Sequence, residues 1–205
     1  MFFQHVYDKS LAQASYFIGC QKAGVAAVID PKRDIDTYIE IAKQNNMQIT
    51  HIFETHIHAD FLAGSRELAA VTGAKMYLSD EGGPGWEYEF AHEGMKHNAE
   101  VMVGNLKIQV LHTPGHTPAC CCYLINGSLF TGDSLFMPDS GTGRCDFPEG
   151  SAEDLYNSVK NIIFSLDATI SYYTGHDYKP NNKSCLKRFE KKCSEIDVNE
   201  FKSCD

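Results

Sequence analysis

The sequence predicts an α/β protein in which two β-sheets are flanked by helices. Segments typical of strands and of helices alternate in two successive halves of the chain, and the connections between them are mostly short. Several connections carry His or Asp beside Gly directly after a strand-like segment, which points to a site at the sheet edges. With 205 residues, 43% of them hydrophobic, the chain can form one sizeable core. We therefore expect one domain over residues 1–180 and a short, atypical tail over 181–205.

The first half is predicted to contain a hairpin, a helix, a strand, a second helix and a short strand. Apolar residues in both helical segments recur every three to four positions, which gives each helix one buried face. The expected elements are, in order, a hairpin of residues 14–20 and 24–30, a helix capped by Asp34 or Asp36 and ending near 45, a strand over 48–54, a helix over about 61–72, and a strand over 75–78. Gly73 is expected to end the second helix.

Residues 80–100 have no clear period and are rich in glycine, acidic and aromatic residues. We interpret this segment as an insertion or a lid. Its aromatic residues Trp86, Tyr88 and Phe90 alternate along the chain. They can cover the edge of the core, line a substrate mouth or form a dimer contact, and the sequence does not choose among these.

The second half is predicted to contain two hairpins, a helix and a final strand. The hairpins pair residues 101–103 with 106–112 and residues 120–125 with 128–131, and the second turns at Asn126-Gly127. Ser151 is expected to cap a helix that ends near residue 165, since Ser favours the position before a helix. A strand over 169–174 ends the pattern, and the tail is expected to contain at most one helix, around 185–193.

Charge and composition argue against several classes of partner. The net charge is −9 without a basic stripe, so a nucleic-acid partner is not expected. The longest apolar runs have the length of a strand, so no membrane span is expected. The N-terminal residues lack the pattern of a secretory signal. We expect a cytoplasmic protein, with the mitochondrial matrix as the alternative if a transit peptide has been removed.

The eight cysteines do not resemble a disulfide framework. Cys120, Cys121 and Cys122 are contiguous, and neighbouring residues on a strand point to opposite faces of the sheet. The chain contains no Cys-x-x-Cys motif and is too long to need covalent cross-links. We expect reduced thiols, with these three acting as small apolar residues of a buried strand.

Four segments distant in sequence share one character, in which a strand ends and His or Asp follows, beside Gly in three of them. They are residues 55–60, 113–117, 131–133 and 174–177. Within the first, His56, His58 and Asp60 alternate, so that all three can turn toward one point, and Phe61 stands where a further ligand could have been. Glycine lets the backbone of the other segments approach a ligand closely. Together with His116, Asp133 and His176, these residues predict a site for zinc, iron or manganese.

These motifs, HxHxD, TPGHT, TGD and GHD, resemble those of the metallo-β-lactamase superfamily over about residues 12–180. The resemblance implies an αβ/βα four-layer sandwich with metals at the sheet edges. In the two-metal hydrolases of the superfamily the first motif is HxHxDH, which implies His56, His58 and His116 around one metal. A second metal would take Asp60, the next His and His176, with Asp133 as the bridge. Phe61 cannot ligate, so that second metal would lose a ligand here.

Within the superfamily, the segment HADFLAG at 58–64 and the segments at 143–147 and 175–178 resemble the persulfide dioxygenase branch. This resemblance implies one non-haem Fe(II) held by His56, His116 and Asp133. Two His and one carboxylate on one face leave positions open for water, a substrate sulfur and O₂. His58, Asp60 and His176 then surround the site as hydrogen-bonding groups, or serve as ligands if a second metal binds.

The implied activity is oxidation of a low-molecular-weight persulfide, of which glutathione persulfide is the first candidate, by O₂ to sulfite and a thiol. We expect Arg144 to bind a substrate carboxylate and Tyr178 to donate a hydrogen bond at the reacting sulfur or oxygen. For Arg144 an equally weighted alternative is an ion pair with Asp146 or Asp139 that fixes the loop.

Two other functions are kept open. A thioester hydrolase of the hydroxyacylglutathione hydrolase type would use the same thiol and a metal-bound hydroxide, with zinc as metal. Zinc also binds such ligands more tightly than Fe(II), so zinc acquired during preparation would not identify the native ion. A metal-binding module without catalysis is the third alternative. A homodimer is compatible with the sequence but is not indicated by a particular segment.

Overall fold

The computed structural model describes residues 1–147, 149–178 and 184–185 of the chain, and it contains two six-stranded sheets. The first sheet is formed by consecutive strands in the spatial order β1 to β6. Their bounds are β1 Phe2–Asp8, β2 Gln13–Cys20, β3 Val25–Ile29, β4 Gln48–Phe53, β5 Lys75–Ser79 and β6 Glu93–Met95. β1, β2 and β3 pair antiparallel, whereas β3 to β6 pair parallel. The parallel part matters for the site, because its strands end at a common edge.

The second sheet is formed by the remaining strands in the order β12-β11-β10-β9-β8-β7. Their bounds are β7 Glu100–Val103, β8 Leu106–His112, β9 Cys121–Ile125, β10 Ser128–Gly132, β11 Ser171–Thr174 and β12 Ser184–Cys185. β10 and β11 are parallel neighbours. The predicted hairpins over 101–112 and 120–131 are confirmed.

Helices cover the outer face of each sheet. α1 (Asp36–Gln44) and α2 (Ser65–Thr72) pack against the first sheet, and α3 (Ala152–Asn157) packs against the second. α3 continues as a π-helical segment over Ser158–Ile163, so the predicted helix over 151–165 is present with wider turns in its second half. Ser151 caps α3 as predicted, since its hydroxyl accepts a hydrogen bond from the Asp154 amide at 3.1 Å.

Three buried apolar clusters separate four layers. One lies between α1, α2 and the first sheet, one lies between the two sheets around Tyr16, Phe53, Tyr123 and Phe130, and one lies between the second sheet and α3. The order is therefore helix, sheet, sheet, helix. The predicted αβ/βα four-layer sandwich is confirmed. Cys121 packs between the sheets and Cys122 faces α3, as alternation along a strand requires, and both are free thiols.

The structure differs from the predicted elements at both helices of the first half. α2 begins at Ser65 and not near residue 61, because Phe61 instead packs on the His58 ring and Leu62 is 71% exposed. The prediction of a cap from Asp34 or Asp36 is wrong. The N-cap residue is Ile35, whose side chain cannot cap a helix, and the Asp34 carboxylate accepts a hydrogen bond from the Thr37 hydroxyl at 2.9 Å.

Several further elements were not predicted or cannot be compared. β1 was not predicted, although it is fully paired with β2 at the edge of the first sheet. The predicted helix around 185–193 lies outside the described residues, apart from Cys185 at the end of β12. Among the described residues, every helix is too short or too polar to span a bilayer.

Candidate metal centre

The described residues include one cluster of side chains that matches the predicted metal ligands. His56 follows β4, His116 follows β8, and Asp133 directly follows β10, so each side chain stands just beyond the end of a strand. All three are buried, and one potential ligand atom from each lies within 4.8 Å of the others. The Asp133 Oδ2 atom is 3.6 Å from His116 Nε2 and 3.9 Å from His56 Nε2. The predicted set therefore converges from both sheets.

A chain of hydrogen bonds presents Nε2 of His56 to this cluster. The Thr55 hydroxyl donates to Asp30 Oδ2 at 2.8 Å, so its oxygen is left to accept a hydrogen bond from His56 Nδ1 at 3.0 Å. The Thr55 amide also donates to Asp30 Oδ1 at 2.7 Å. A proton on Nδ1 leaves a lone pair on Nε2, which is the form of imidazole that binds metals. Asp30 thus orients His56 through Thr55.

His116 is oriented by a backbone carbonyl. Its Nδ1 donates to the Arg144 carbonyl oxygen at 2.6 Å, which leaves Nε2 unprotonated, with its lone pair available to a metal beside Asp133. The Gly143 amide donates to the Asp133 carbonyl at 2.8 Å, and a Cβ at residue 143 would overlap that carbonyl. The loop over 143–144 therefore positions two of the three candidate ligands with its main chain.

The residues of the cluster fit a divalent cation. Within the described part of the chain, Oδ1 of Asp133 is buried without a hydrogen-bond partner, a costly state for a carboxylate oxygen. Burial, and then the neighbouring His58, His116 and His176, hold the pKa of His56 well below its usual range. His56 is therefore neutral near pH 7 and able to bind a metal. Two neutral imidazoles and one carboxylate suit Fe(II) or zinc.

His58 does not join this cluster. Its Nε2 atom is 3.3 Å from Asp30 Oδ1 and 3.3 Å from Glu54 Oε2, and its ring packs on Phe61 with the ring centroids 4.3 Å apart. The alternating pattern that predicted His56 and His58 as equal ligands of one metal is therefore not followed. The family resemblance also implies that His58 is a hydrogen-bonding group beside the metal ligands, and this role agrees better with the observed orientation.

Asp30, Glu54 and His58 form a second buried group, whose two carboxylates the sequence reasoning did not identify. Burial raises the pKa of Glu54 to about 7, although contact with His58 opposes the rise. Burial works to lower the pKa of His58, but Asp30 and Glu54 outweigh it and raise that pKa well above its usual range. One feature of the sequence could have indicated this group: Asp30 and Glu54 each directly follow a strand, and these strands, β3 and β4, pair in parallel.

Asp60 and His176 lie together on the other side of Asp133. His176 Nε2 is 3.2 Å from Asp60 Oδ2 and 3.9 Å from Asp133 Oδ1. His176 Nδ1 donates to the Leu11 carbonyl at 3.2 Å, which fixes the ring. His176 is buried, whereas the Asp60 side chain is half exposed. These two residues are therefore close enough to act beside the ligands.

The two predicted substrate residues are at the surface. Arg144 Nε and Nη2 each donate to the Asp146 carboxylate at 2.6 Å, which is the ion pair kept as the alternative for this residue. Its guanidinium also lies 4.7 Å from the centre of the Phe147 ring. Tyr178 is 60% exposed and stacks on His176, with the ring centroids 5.7 Å apart. Substrate binding by Arg144 and Tyr178 stays a prediction.

The segment over 80–92 contacts two parts of the site region. The Trp86 indole donates to the Glu149 carboxylate, and the Arg66 guanidinium lies 5.3 Å from the centre of the Phe90 ring. A cavity of about 210 Å³ opens between this segment and the metal-site loops. Its lining includes His56, His58, Phe61, Leu62, Arg66 and Phe90. At least Phe90 therefore lines a cavity beside the site, which favours the substrate-mouth interpretation of these aromatic residues.

Comparison with known proteins agrees with this geometry. Residues 10–176 match the family model of the metallo-β-lactamase superfamily. The sequence is 39% identical over 168 residues to glyoxylase B2 of Dictyostelium discoideum, a match that covers 74% of this chain and 57% of that protein. It is 28% identical over 183 residues to the mitochondrial persulfide dioxygenase ETHE1 of Bos taurus, a match that covers 85% of this chain and 68% of that protein.

Among solved structures, ETHE1 from Myxococcus xanthus superposes with a TM-score of 0.88 at 34% identity, covering 98% of this chain and 88% of that chain. A metallo-β-lactamase from Staphylococcus aureus superposes with a TM-score of 0.90 at 37% identity, covering 100% of this chain and 67% of that chain. The chain spans only part of the length of several curated relatives. The chain covers 73% of the length of a Burkholderia pseudomallei relative and 47% of an Agrobacterium fabrum relative.

Proposed function

Because the chain belongs to the metallo-β-lactamase superfamily and groups two His and one Asp at a single point, we propose that it is a persulfide dioxygenase with one catalytic Fe(II). The substrate is a low-molecular-weight persulfide, with glutathione persulfide as the first candidate. The similarity to ETHE1 proteins of Bos taurus and Myxococcus xanthus supports this branch of the superfamily. His56, His116 and Asp133 would hold the iron.

The orientation of His58 is the observation that carries the proposal. In a two-metal hydrolase of this superfamily His58 would bind the first metal and a His at position 61 the second. Here His58 faces Asp30 and Glu54 at 3.3 Å, and Phe61 packs on its ring. His56, His116 and Asp133 then offer two imidazoles and one carboxylate, a set that suits iron chemistry with O₂, and His176 lies beside them at 3.9 Å from Asp133 Oδ1.

The proposed reaction is balanced without an external reductant. One persulfide, one O₂ and one water give one thiol and one sulfite. The terminal sulfur is oxidised and receives both atoms of O₂, and water then breaks the sulfur–sulfur bond and supplies the third oxygen of sulfite. When bound, Fe(II) supplies the redox chemistry that allows the sulfur and O₂ to react. The protein must bind the persulfide anion, orient it and accept protons.

Residues beside the ligands are suited to these tasks. His176 is held through Nδ1 by the Leu11 carbonyl at 3.2 Å, and its Nε2 atom is proposed to exchange a proton with the persulfide or with water. The Asp60 carboxylate, 3.2 Å from that atom, then stabilises the imidazolium. Tyr178, stacked on His176, is proposed to donate a hydrogen bond to the substrate. Arg144 would have to leave Asp146 to bind a substrate carboxylate.

A thioester hydrolase of the hydroxyacylglutathione hydrolase type is the second candidate. Two observations favour it: the 39% identity to glyoxylase B2 of Dictyostelium discoideum, and the placement of Asp60 and His176 within reach of Asp133. Both candidate substrates are derivatives of a thiol such as glutathione, so the substrate pocket alone does not distinguish them. The metal and the reaction products do. A metal-binding module without catalysis would turn over neither substrate.

The test is anaerobic purification with iron, followed by O₂ uptake and sulfite assays with glutathione persulfide. We expect one sulfite formed for each O₂ consumed, and loss of both signals in a His116→Ala variant. Hydrolysis of lactoylglutathione is measured in parallel on the iron and zinc forms. Hydrolysis without O₂ uptake would establish the second candidate, and turnover of neither substrate would leave the non-catalytic module.

A Phe61→His variant tests the role given to position 61, with Phe61→Leu as the matched control. The new imidazole completes the ligand set expected of a two-metal hydrolase. Phe61→His should bind one more metal ion per chain than the wild type and gain thioester hydrolysis, whereas Phe61→Leu should gain neither. A variant with unchanged metal content would show that position 61 does not decide between the two chemistries.

A further inference from the structure

We propose that the side chains of Asp30, Glu54 and His58 form a second site for a divalent cation of the zinc class, separate from the catalytic cluster. The three residues come from the adjacent ends of β3 and β4 and from the loop after β4. One potential ligand atom from each lies within 4.8 Å of the others. The side chains of His58 and Asp30 are each 2% exposed, and that of Glu54 is 7% exposed.

The distances within the group agree better with metal coordination than with hydrogen bonds. His58 Nε2 is 3.3 Å from an oxygen of each carboxylate, although the usual distance for such a charge-assisted hydrogen bond is about 2.7–2.9 Å. Ligands bound tetrahedrally to zinc at about 2.0–2.1 Å lie about 3.3 Å from one another. His58 Nε2 is thus too far from both carboxylates for a good hydrogen bond. Its distance from each of them is the distance expected between two ligands of one cation.

Buried atoms in the group face each other without forming a hydrogen bond. In the part of the chain that the structure describes, Glu54 Oε2 and both ring nitrogens of His58 have no hydrogen-bond partner and are inaccessible to solvent. The contact between Glu54 Oε2 and His58 Nε2, at 3.3 Å, is an ion pair only. A cation bound to both atoms would supply the partner that each of them lacks. Two carboxylates and a neutral imidazole also neutralise a divalent charge, which a buried site requires.

Neighbouring residues hold both carboxylates in place. Asp30 accepts hydrogen bonds from the Thr55 amide and hydroxyl at 2.7 and 2.8 Å, and Glu54 Oε1 accepts one from the Ser65 hydroxyl at the start of α2. These bonds leave Oε2 of Glu54 for the cation. Such orienting contacts are typical of protein metal sites. The cavity of about 210 Å³ that is lined by Glu54, His58 and Ser65 provides an entry path.

The two sites are linked by hydrogen bonds that join Asp30, Thr55 and His56. Asp30 would bind the buried cation and also accept the Thr55 hydroxyl that orients His56. A cation on Asp30 therefore fixes the first link of the chain that positions a catalytic ligand. This gives the buried site a structural role, and the proposal does not depend on which reaction the catalytic site performs.

The test is zinc content after equilibrium dialysis, measured per folded chain for the wild type and three variants. Glu54→Gln removes one ligand charge from the proposed site. Asp60→Asn removes a ligand of the alternative second position beside Asp133, and His116→Ala removes a ligand of the catalytic cluster. We expect two zinc ions in the wild type and in Asp60→Asn, and one in Glu54→Gln and in His116→Ala.

Other outcomes overturn the proposal. A single zinc in the wild type would show that Asp30, His58 and Glu54 form an ion triad without metal. Two zinc ions in the wild type that fall to one in Asp60→Asn but not in Glu54→Gln would place the second ion beside Asp133. If Glu54→Gln does not fold by circular dichroism, His58→Gln replaces it. Independently, Co(II) added to His116→Ala should give the visible absorption of a tetrahedral site, and its absence counts against the site.

Discussion

Thr55 is the residue through which the buried Asp30 carboxylate controls a candidate iron ligand. Its hydroxyl has one proton, which goes to Asp30, and its oxygen accepts the Nδ1 proton of His56. All three residues are buried, so these hydrogen bonds are shielded from bulk solvent. The arrangement selects the tautomer of His56 that presents Nε2 to Asp133 and His116.

A Thr55→Val variant should therefore weaken iron binding. Valine keeps the shape of threonine but leaves His56 Nδ1 and Asp30 Oδ2 without a hydrogen-bond partner from this side chain, and loss of such an orienting contact costs about 10- to 100-fold in metal affinity. The dissociation constant of Fe(II) is measured anaerobically by competition with a chelator.

Thr50→Val is the matched control for this experiment. The Thr50 hydroxyl lies 2.8 Å from His51 Nδ1, so it repeats the same local contact on β4 outside the site. Iron affinity should be unchanged in this control. Equal weakening in both variants would mean that β4 as a whole, and not the contact with His56, determines metal binding.

At the scale of elements, the loop that carries His116 is packed against the beginning of α3. The Ser151 amide donates to the Gly115 carbonyl at 2.8 Å, and Ser151 also caps the helix. Gly115 has a φ of 137°, and a Cβ there would overlap the backbone of Leu155. Only glycine satisfies both conditions, so helix and ligand loop are placed relative to each other by this residue.

A Gly115→Ala variant should lower both stability and metal affinity. The overlap with α3 should cost about 1–3 kcal/mol of unfolding free energy, and the displaced loop should move His116 away from Asp133.

Gly127→Ala is the control, since Gly127 also has a positive φ, 71°, but a Cβ there meets nothing within 4 Å. It should lose about 1–2 kcal/mol and keep full metal affinity. Unfolding in urea and Fe(II) titration measure the two effects, and an unchanged affinity in Gly115→Ala would contradict the argument.

The segment over 80–92 is fixed by an ion pair that depends on pH. His92 Nε2 is 2.9 Å from Asp80 Oδ1, and His92 Nδ1 contacts the Phe90 carbonyl at 2.9 Å. Partial burial acts to lower the pKa of His92, but the Phe90 carbonyl and Asp80 outweigh it and raise that pKa above its usual range. Protonated His92 is therefore favoured in the folded segment.

The stability from this pair should be fully present below the ordinary His pKa of about 6.5 and should be lost as the pH rises through the raised value. The Asp80 side chain is about half exposed, so the effect should be under about 1 kcal/mol, or roughly fivefold in the opening equilibrium. Hydrogen exchange of the segment and fluorescence of Trp86, the single tryptophan, report it. His92→Gln should abolish the dependence between pH 6 and 8, whereas His97→Gln should retain it. An identical pH profile in His92→Gln would exclude this pair as the cause.

Local patterns predicted the elements and the candidate metal ligands, because each of these depends on residues that are close in the sequence. The helix and strand periods give the four layers, and the polar residues after β4, β8 and β10 mark His56, His116 and Asp133. The lack of a ligand at position 61 is also a local property, because the side chain of Phe61 has no atom that can bind a metal. The shift of the α2 start to Ser65 was missed because Phe61 and Leu62 fit a helical pattern while Phe61 packs on His58.

Asp30 and Glu54 were missed because their meeting depends on the pairing of strands. Each follows an apolar strand, and neither is part of a recognisable motif. They become neighbours because Ile29 pairs with Phe53 in the parallel register of β3 and β4. The orientation of His58 follows from that pairing, since the two carboxylates attract the ring away from Asp133. Such contacts are set by the whole fold.

At the scale of the whole molecule, the metal cluster joins the two sheets. His56 belongs to the first sheet, and His116 and Asp133 belong to the second. Main-chain bonds cross the same edge, where the Cys121 amide donates to the Thr55 carbonyl at 2.9 Å and the Ala14 amide donates to the Gly175 carbonyl at 2.8 Å. A cation held by both sheets therefore opposes their separation during unfolding.

Removal of iron should consequently lower the melting temperature. A metal that binds only the folded chain adds about 2.7 kcal/mol when its free concentration is 100 times the dissociation constant. For a chain of this size that corresponds to a shift of about 5–10 °C. Calorimetry of the wild type with and without Fe(II) under nitrogen measures the shift.

The shift in melting temperature should shrink in His116→Ala, which loses a ligand from the second sheet. It should persist in Asp60→Asn, whose half-exposed carboxylate lies beside the cluster. An equal shift in His116→Ala and the wild type would show that the stabilising ion does not bridge the two sheets.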